Sequence, residues 1–186
     1  MPQLILIPDG PGDVFDWASA PGGIGWKAVQ DYFGPDGDTT FASSGGGGRI
    51  LVTAHAPGDI RPVASVAWVG VQAVARLRPV PPPTDLVAVA PTIRSGGIDY
   101  VGAPFELISS FQTIDPADDE SWRTFTDPGT GQRWTMQSAL DAQFGLVDES
   151  VDTEEGHSIR CTMLRKLIWV EWVVGGGNAV RGDLHG

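Results

Sequence analysis

Apolar and polar residues alternate with a period of two through much of this chain, and that rhythm predicts strands. In residues 63–77, Val63, Ala67, Val69, Val71, Ala73, Ala75 and Leu77 share one parity, while Gln72, Arg76 and Arg78 hold the other. Alternation over that length predicts a strand with one buried and one wetter face, as in an antiparallel sheet. Pro79 and Pro81 to Pro83 end it, because proline has no ladder donor. Shorter apolar runs predict strands at 4–7, 49–54, 86–93, 99–101, 105–114 and 122–126, with turns at 8–13 and at Ser95-Gly96-Gly97.

Two last strands are predicted over 157–164 and 167–174, joined by a two-residue turn at Arg165-Lys166. In the second, Ile168, Val170, Trp172 and Val174 alternate with Leu167, Trp169, Glu171 and Val173. Both faces are nearly apolar, which places this strand centrally in a sheet or against a neighbouring subunit. One helix is predicted: Thr135 caps it, Met136, Ala139, Leu140 and Phe144 fall on one face, and Gly145 closes it. Residues 17–48 read as ordered loop, with isolated aromatics pinned among glycines. The predicted fold is all-β, a jelly-roll-like antiparallel sandwich with long ordered loops and one short helix. It comprises a single domain over 1–174 and a glycine-rich tail or arm over 175–186.

Composition narrows the reading. With 25 glycines and 15 prolines in 186 residues, a helical bundle is excluded. The net charge is −11, and the cations are ten scattered arginines with Lys27 and Lys166. Nucleic-acid binding needs clustered cations, and an acidic surface repels anionic membranes, so neither partner is expected. The single cysteine, Cys161, can form neither an internal disulfide nor a zinc cage and reads as a small hydrophobe in a strand. The start Met1-Pro2-Gln3-Leu4-Ile5-Leu6-Ile7-Pro8 has no signal-peptide pattern, so synthesis in the cytoplasm is expected.

Candidate chemistry is sparse. The sequence holds no Gly-x-Ser-x-Gly elbow, no His-x-x-x-His and no phosphate-cradling glycine-lysine loop, and His55 and His157 stand at strand ends. The acidic clusters Asp115, Asp118, Asp119, Glu120 and Asp148, Glu149, Asp152, Glu154, Glu155 lack calcium-loop spacing and read as a solvated rim. No catalytic, cofactor or metal residue is assigned. Aromatic rings can stack on sugars; Trp17, Trp26, Trp122 and Trp134 lie in loops or at element ends and are the candidates for that role. Arg181-Gly182-Asp183 spells an integrin-type tripeptide, which in a tail without a secretion signal reads as coincidence.

Several segments, taken in order, resemble a family of bacteriophage virion structural proteins of about this length. They are Leu6-Ile7-Pro8-Asp9-Gly10 with Trp17, the stretch Pro35 to Ser44, Val71 to Arg76, and Ile93 to Tyr100. The most specific is Thr126-Asp127-Pro128-Gly129-Thr130-Gly131-Gln132-Arg133-Trp134-Thr135, continued by Leu140 to Leu146. It is similar to that family's "D-P-x-T-G-x-x-W-T … L-x-A-x-x-x-G", with the final glycine one position early. A proline-rich insert at 79–83 and an acidic loop at 147–155 depart from the pattern.

The resemblance implies a sandwich carried on the virion, without catalytic residues. The expected role is a capsid decoration or cement protein whose partners are the major capsid protein and copies of itself. Contacts are expected from the last strand and the tail: Trp169, Trp172, Val174, Gly176, Asn178 and Arg181. The first alternative is a tail-fibre or tail-tip module binding host-surface glycan through the four loop tryptophans. The second is a virion glycosidase acting through the acidic loops.

Overall fold

A computed structural model describes residues 3–20, 25–30, 41–44, 47–55, 64–78, 87–150 and 158–172. The strands are β1 (Gln3–Leu6), β2 (Gly10–Phe15), β3 (Ala18–Ala20), β4 (Phe41–Ser44), β5 (Arg49–Thr53), β6 (Ala64–Arg78) and β7 (Ala88–Ser95). They continue with β8 (Ile98–Val101), β9 (Phe105–Glu106), β10 (Gln112–Ile114), β11 (Arg123–Thr124), β12 (Gln143–Asp148) and β13 (Ser158–Trp172). One α-helix, α1 (Met136–Asp141), and 3-10 turns at Gly25–Val29 and Glu120–Trp122 complete the described elements. All pairings are antiparallel and form two sheets. The first runs β10-β6-β13-β4-β3 with β1 beside β13 and β11 beside β6; the second runs β2-β5-β12-β7-β8 with β9 beside β7. This is the all-β sandwich that the alternation predicts.

The two sheets bury one apolar core between them. Val69, Val71, Ala73 and Ala75 of β6 and Ile159, Cys161, Leu164 and Ile168 of β13 face Ile50, Val52, Ile93, Phe144 and Leu146 of the second sheet. Trp17, Trp122 and Trp134 fill its margins.

Residues 158–172 form one continuous strand, not two. Instead of a turn at Arg165-Lys166, a bulge between Cys161 and Met163 shifts the register against β6. The extra residue reverses parity, so Ile159 and Cys161 before it and Leu164 and Ile168 after it all face the core. Arg165 and Lys166 lie mid-strand, opposite Gln72 and Val71. The central position expected for the last strand holds: β13 has β6 on one side and β4 and β1 on the other. A second shift, between Trp169 and Val170, leaves Ala67 of β6 as the extra residue, so Val66 joins the core.

The predicted helix is shorter than its apolar spacing implies. Thr135 does cap it, accepting from the Ser138 N–H while the Ser138 hydroxyl accepts from the Thr135 N–H, but α1 ends at Asp141. Phe144 and Gly145 belong to β12, between β5 and β7. Gly145 is required there because a Cβ would stand 1.7 Å from the Ile50 carbonyl oxygen. Two further corrections concern loops. Residues 10–13 of the predicted 8–13 turn belong to β2, and the 17–48 region contains β3, β4 and a 3-10 turn. The Gly96-Gly97 turn joins β7 to β8 with both glycines at positive φ, as predicted from those residues.

Pro91 sits inside β7 without breaking the sheet. Its carbonyl accepts from Gly102 N at 3.0 Å, in the interval between the stretches where β9 and β8 pair with β7. Backbone N and C=O of one residue point to the same side, so the missing N–H falls where that ladder is interrupted.

Candidate interaction surface

The outer face of the first sheet is not a plain solvated face. Trp68 and Trp169 are directly opposed across β6 and β13, with ring centroids 5.2 Å apart and planes inclined by 20°. The Arg123 guanidinium lies 5.3 Å from the Trp68 ring and 5.5 Å from the Phe125 ring. It also pairs with Glu120 and donates to the Pro116 carbonyl. The result is a band of three aromatic rings and one guanidinium that runs from β13 to the segment after β11. Trp68 is buried beneath it, Trp169 is half-buried, and Phe125 is 52 % exposed. Beside Phe125, a shallow cleft of about 180 Å³ is lined by Val66, Ala67, Arg133 and Glu171.

The band is held from below by a structural corner. Segment 102–126 crosses from β9 in one sheet to β10 and β11 in the other. The Tyr100 hydroxyl donates to the carbonyls of Ser121 and Arg123 at 3.1 and 3.0 Å, tying β8 to that crossing. Burial, and secondarily the charge of Asp119, raises the Tyr100 pKa. Gly70 lies close under the same segment, where a Cβ would be 2.6 Å from Pro116 Cβ.

The Asp127 to Thr135 motif folds into a self-satisfied loop. Asp127 is buried; its carboxylate accepts from Gly129 N at 2.9 Å and its carbonyl from Gly131 N at 2.7 Å. Gly131 has positive φ, and Thr126 and Arg133 close the loop as a bridge. Trp134 is buried and donates its indole N–H to the Thr124 carbonyl at 3.0 Å. A Cβ on Gly129 would lie 2.7 Å from the Ser95 carbonyl oxygen, so the loop rests on the β7–β8 turn.

A second cleft, of about 340 Å³, opens between this loop, α1 and the β7–β8 turn. Its polar groups are engaged with one another. Arg94 binds Asp99 at 2.6 Å and Asp13 at 3.5 Å, Gln143 accepts from Asp13 N at 2.9 Å, and Asp141 accepts from Gln137 at 2.8 Å. The hydrogen bond that Arg94 donates to Asp99 raises the Arg94 pKa, so this ion pair stays charged. The arrangement braces β2, β7 and β8.

Of the residues predicted for contacts, Trp169 stands in the outward band. The main chain of Trp172 pairs with Ala64 at the end of β13. Val174, Gly176, Asn178 and Arg181 lie outside the described residues, as does His157. The four loop tryptophans do not form a sugar platform. Trp17, Trp122 and Trp134 are at most 4 % exposed and belong to the core. Trp122 also meets Phe105 edge-on at 6.4 Å. Trp26 is half-buried, with the Lys27 ammonium 5.6 Å from its ring. Large rings in a glycine-rich chain stabilise loops by entering the core, and that demand outweighs exposure.

Of the acidic clusters, Asp115, Asp119 and Asp148 serve the fold, while Asp152, Glu154 and Glu155 lie outside the described residues. Asp115 accepts from Gln72 at 2.5 Å and from Ala117 N, and Asp119 caps the 3-10 turn through Ser121 N. Asp148 is buried and accepts from the hydroxyls of Ser44 and Ser150 at 2.5 and 2.6 Å. Among the described residues no group of three His, Cys, Asp or Glu side chains could hold a metal ion. No helix among them is long and apolar enough to cross a membrane. His55 is exposed and bonded through Nδ1 to Asp9 at 2.7 Å, which fastens the end of β5 to the β1–β2 connection.

Phe125, Trp68 and Arg123 were not legible as a surface in the sequence. The available signal was parity: Trp68 and Trp169 each stand out of phase with their core-facing neighbours Val69 and Ile168. No family model, curated protein or solved structure matches this chain.

Proposed function

We propose that this chain is a bacteriophage virion structural protein, a capsid decoration or cement subunit that works by burying surface against neighbouring chains. Its partners are the major capsid protein and its own copies. The observation that carries this reading is the outward band of Trp169, Trp68, Arg123 and Phe125. Aromatic and arginine side chains dominate the buried centres of protein interfaces. Many identical contacts repeated over a symmetric shell sum to a large stabilisation without any chemistry. The resemblance of the Asp127 to Thr135 segment to phage virion proteins supports the same reading, since that loop spends its polar groups on holding a corner of the sandwich.

A second reading, a tail-associated module binding host glycan, is favoured by one feature. Half-exposed Phe125 stands with Arg133 and Glu171 around the shallow cleft, a ring for a sugar face and two charged groups for hydroxyls. Mass spectrometry of purified heads and tails, separated from the phage that encodes the chain, distinguishes them. The first reading expects the chain on heads in many copies; recovery on tails alone, with retention on a glycan array, supports the second.

A further inference from the structure

Lys166 is one of the two lysines of the chain and is fully buried, on the core-facing side of β13. Its Nζ lies 2.7 Å from the Leu140 carbonyl oxygen and 2.7 Å from that of Ala142. These two carbonyls belong to the last turn of α1 and the step into β12, so one side chain fastens the first sheet to the helix corner of the second. The Phe144 ring stands 5.6 Å from the same nitrogen. Two carboxylates act on it, Asp141 of α1 and, more weakly, Asp9 of the β1–β2 connection. The residues paired with Lys166 on β1 and β6, Leu6 and Val71, carry no charge.

This inference is independent of the proposed function. We propose that Lys166 is a proton-operated latch: its uncharged amine holds the carbonyls of Leu140 and Ala142 inside the sandwich, and taking up a proton opens the α1 corner to water.

The donor count fits the closed state. A neutral amine has two N–H groups, and the two carbonyls accept both. An ammonium carries a third N–H and a full charge, which cost more to bury than the neutral amine. Burial is the dominant influence and lowers the pKa from 10.5 to about 7, against the opposing pull of Asp141 and Asp9. The corner is built to yield: α1 has six residues, and of these only Ala139 is buried.

The sign of the coupling follows. Between pH 10.5 and about 7 the open state binds the proton and the closed state does not. Opening therefore becomes more favourable as pH falls through that window, by up to about tenfold per unit, and levels off below it.

With only Lys27 and Lys166 in the chain, protein labelled with ¹³C at lysine Cε gives two signals, one an exposed reference. The latch expects Lys166 to titrate near 7, well below the 10.5 of an ordinary lysine. It also expects the opening constants from amide exchange at Ala139 and Ala142, after correction for intrinsic rates, to rise about tenfold per unit from pH 9.5 to 7.5. Lys166→Met removes that dependence. Lys166 titrating near 10.5, or exchange in the wild type that does not vary with pH, overturns the proposal. The wild-type measurements decide this even if the variant does not fold.

Discussion

Trp68 and Trp169 face each other across the two longest strands, stacked at 5.2 Å on the side of the sheet turned away from the core. Aromatic pairs are commonly buried for their area, yet this one is only half covered, with Trp169 as its open side. Replacing Trp169 with alanine removes the stack but no core residue. The expected cost in fold stability is about 1–2 kcal/mol, read by urea unfolding. Binding to shells is expected to fall at least tenfold, and a variant with reduced stability but unaltered shell binding would remove this band from the interface.

Gly145 and Gly97 predict opposite sensitivities to alanine. At Gly145 the added methyl meets the Ile50 carbonyl at 1.7 Å, between two paired strands in which neither backbone can retreat. Gly145→Ala is expected to cost more than about 3 kcal/mol or to abolish soluble expression. Gly97 has φ +81 and nothing within 4 Å of a new Cβ, so Gly97→Ala pays only for its backbone conformation, about 1 kcal/mol. Paired chemical-denaturation curves check both.

Thr135 and Asp127 are expected to act as fold residues. Thr135→Ala deletes the helix cap and should lower stability by about 1 kcal/mol. Asp127→Ala strips the buried acceptor from Gly129 N and should cost about 1–3 kcal/mol. Shell binding measured below the unfolding range should be unchanged in both variants.

The buried lysine also sets the pH dependence of global stability. Its folded pKa of about 7 lies below the ordinary 10.5, so unfolding takes up a proton between those values. Stability should therefore rise with pH from 7 to 9, by at most about 1.4 kcal/mol per unit, and this contribution should not vary below 7. Tyr100, whose pKa burial raises, stays protonated across this range and adds no slope. Urea midpoints at pH 7, 8 and 9 for wild type and Lys166→Met read the difference directly.

Strand content was legible because alternation survives in β6, and because short apolar runs bounded by turn residues mark β5 and β8. What escaped the sequence has local physical causes. In β13 a one-residue bulge reverses parity, and the adjacent cations Arg165 and Lys166 imitate a turn although one of them is buried. In α1 the apolar spacing continues into Phe144 while the chain has already left the helix, because Phe144 and Leu146 of a strand point into the same core. Gly145 resembles a helix stop and is a close-approach glycine instead. The contact band combines Trp169, Trp68, Arg123 and Phe125 from three separate segments, and only the pairing register brings them together.

The proposed role is surface contact between this chain and a viral shell, and equilibrium binding tests it most directly. Purified wild-type protein titrated onto shells stripped of it should bind saturably at a fixed ratio per capsomer and raise the temperature at which the shells open, while a Trp169→Ala, Phe125→Ala double variant should do neither. Shells that take up no wild-type protein, or bind the double variant equally well, would contradict it.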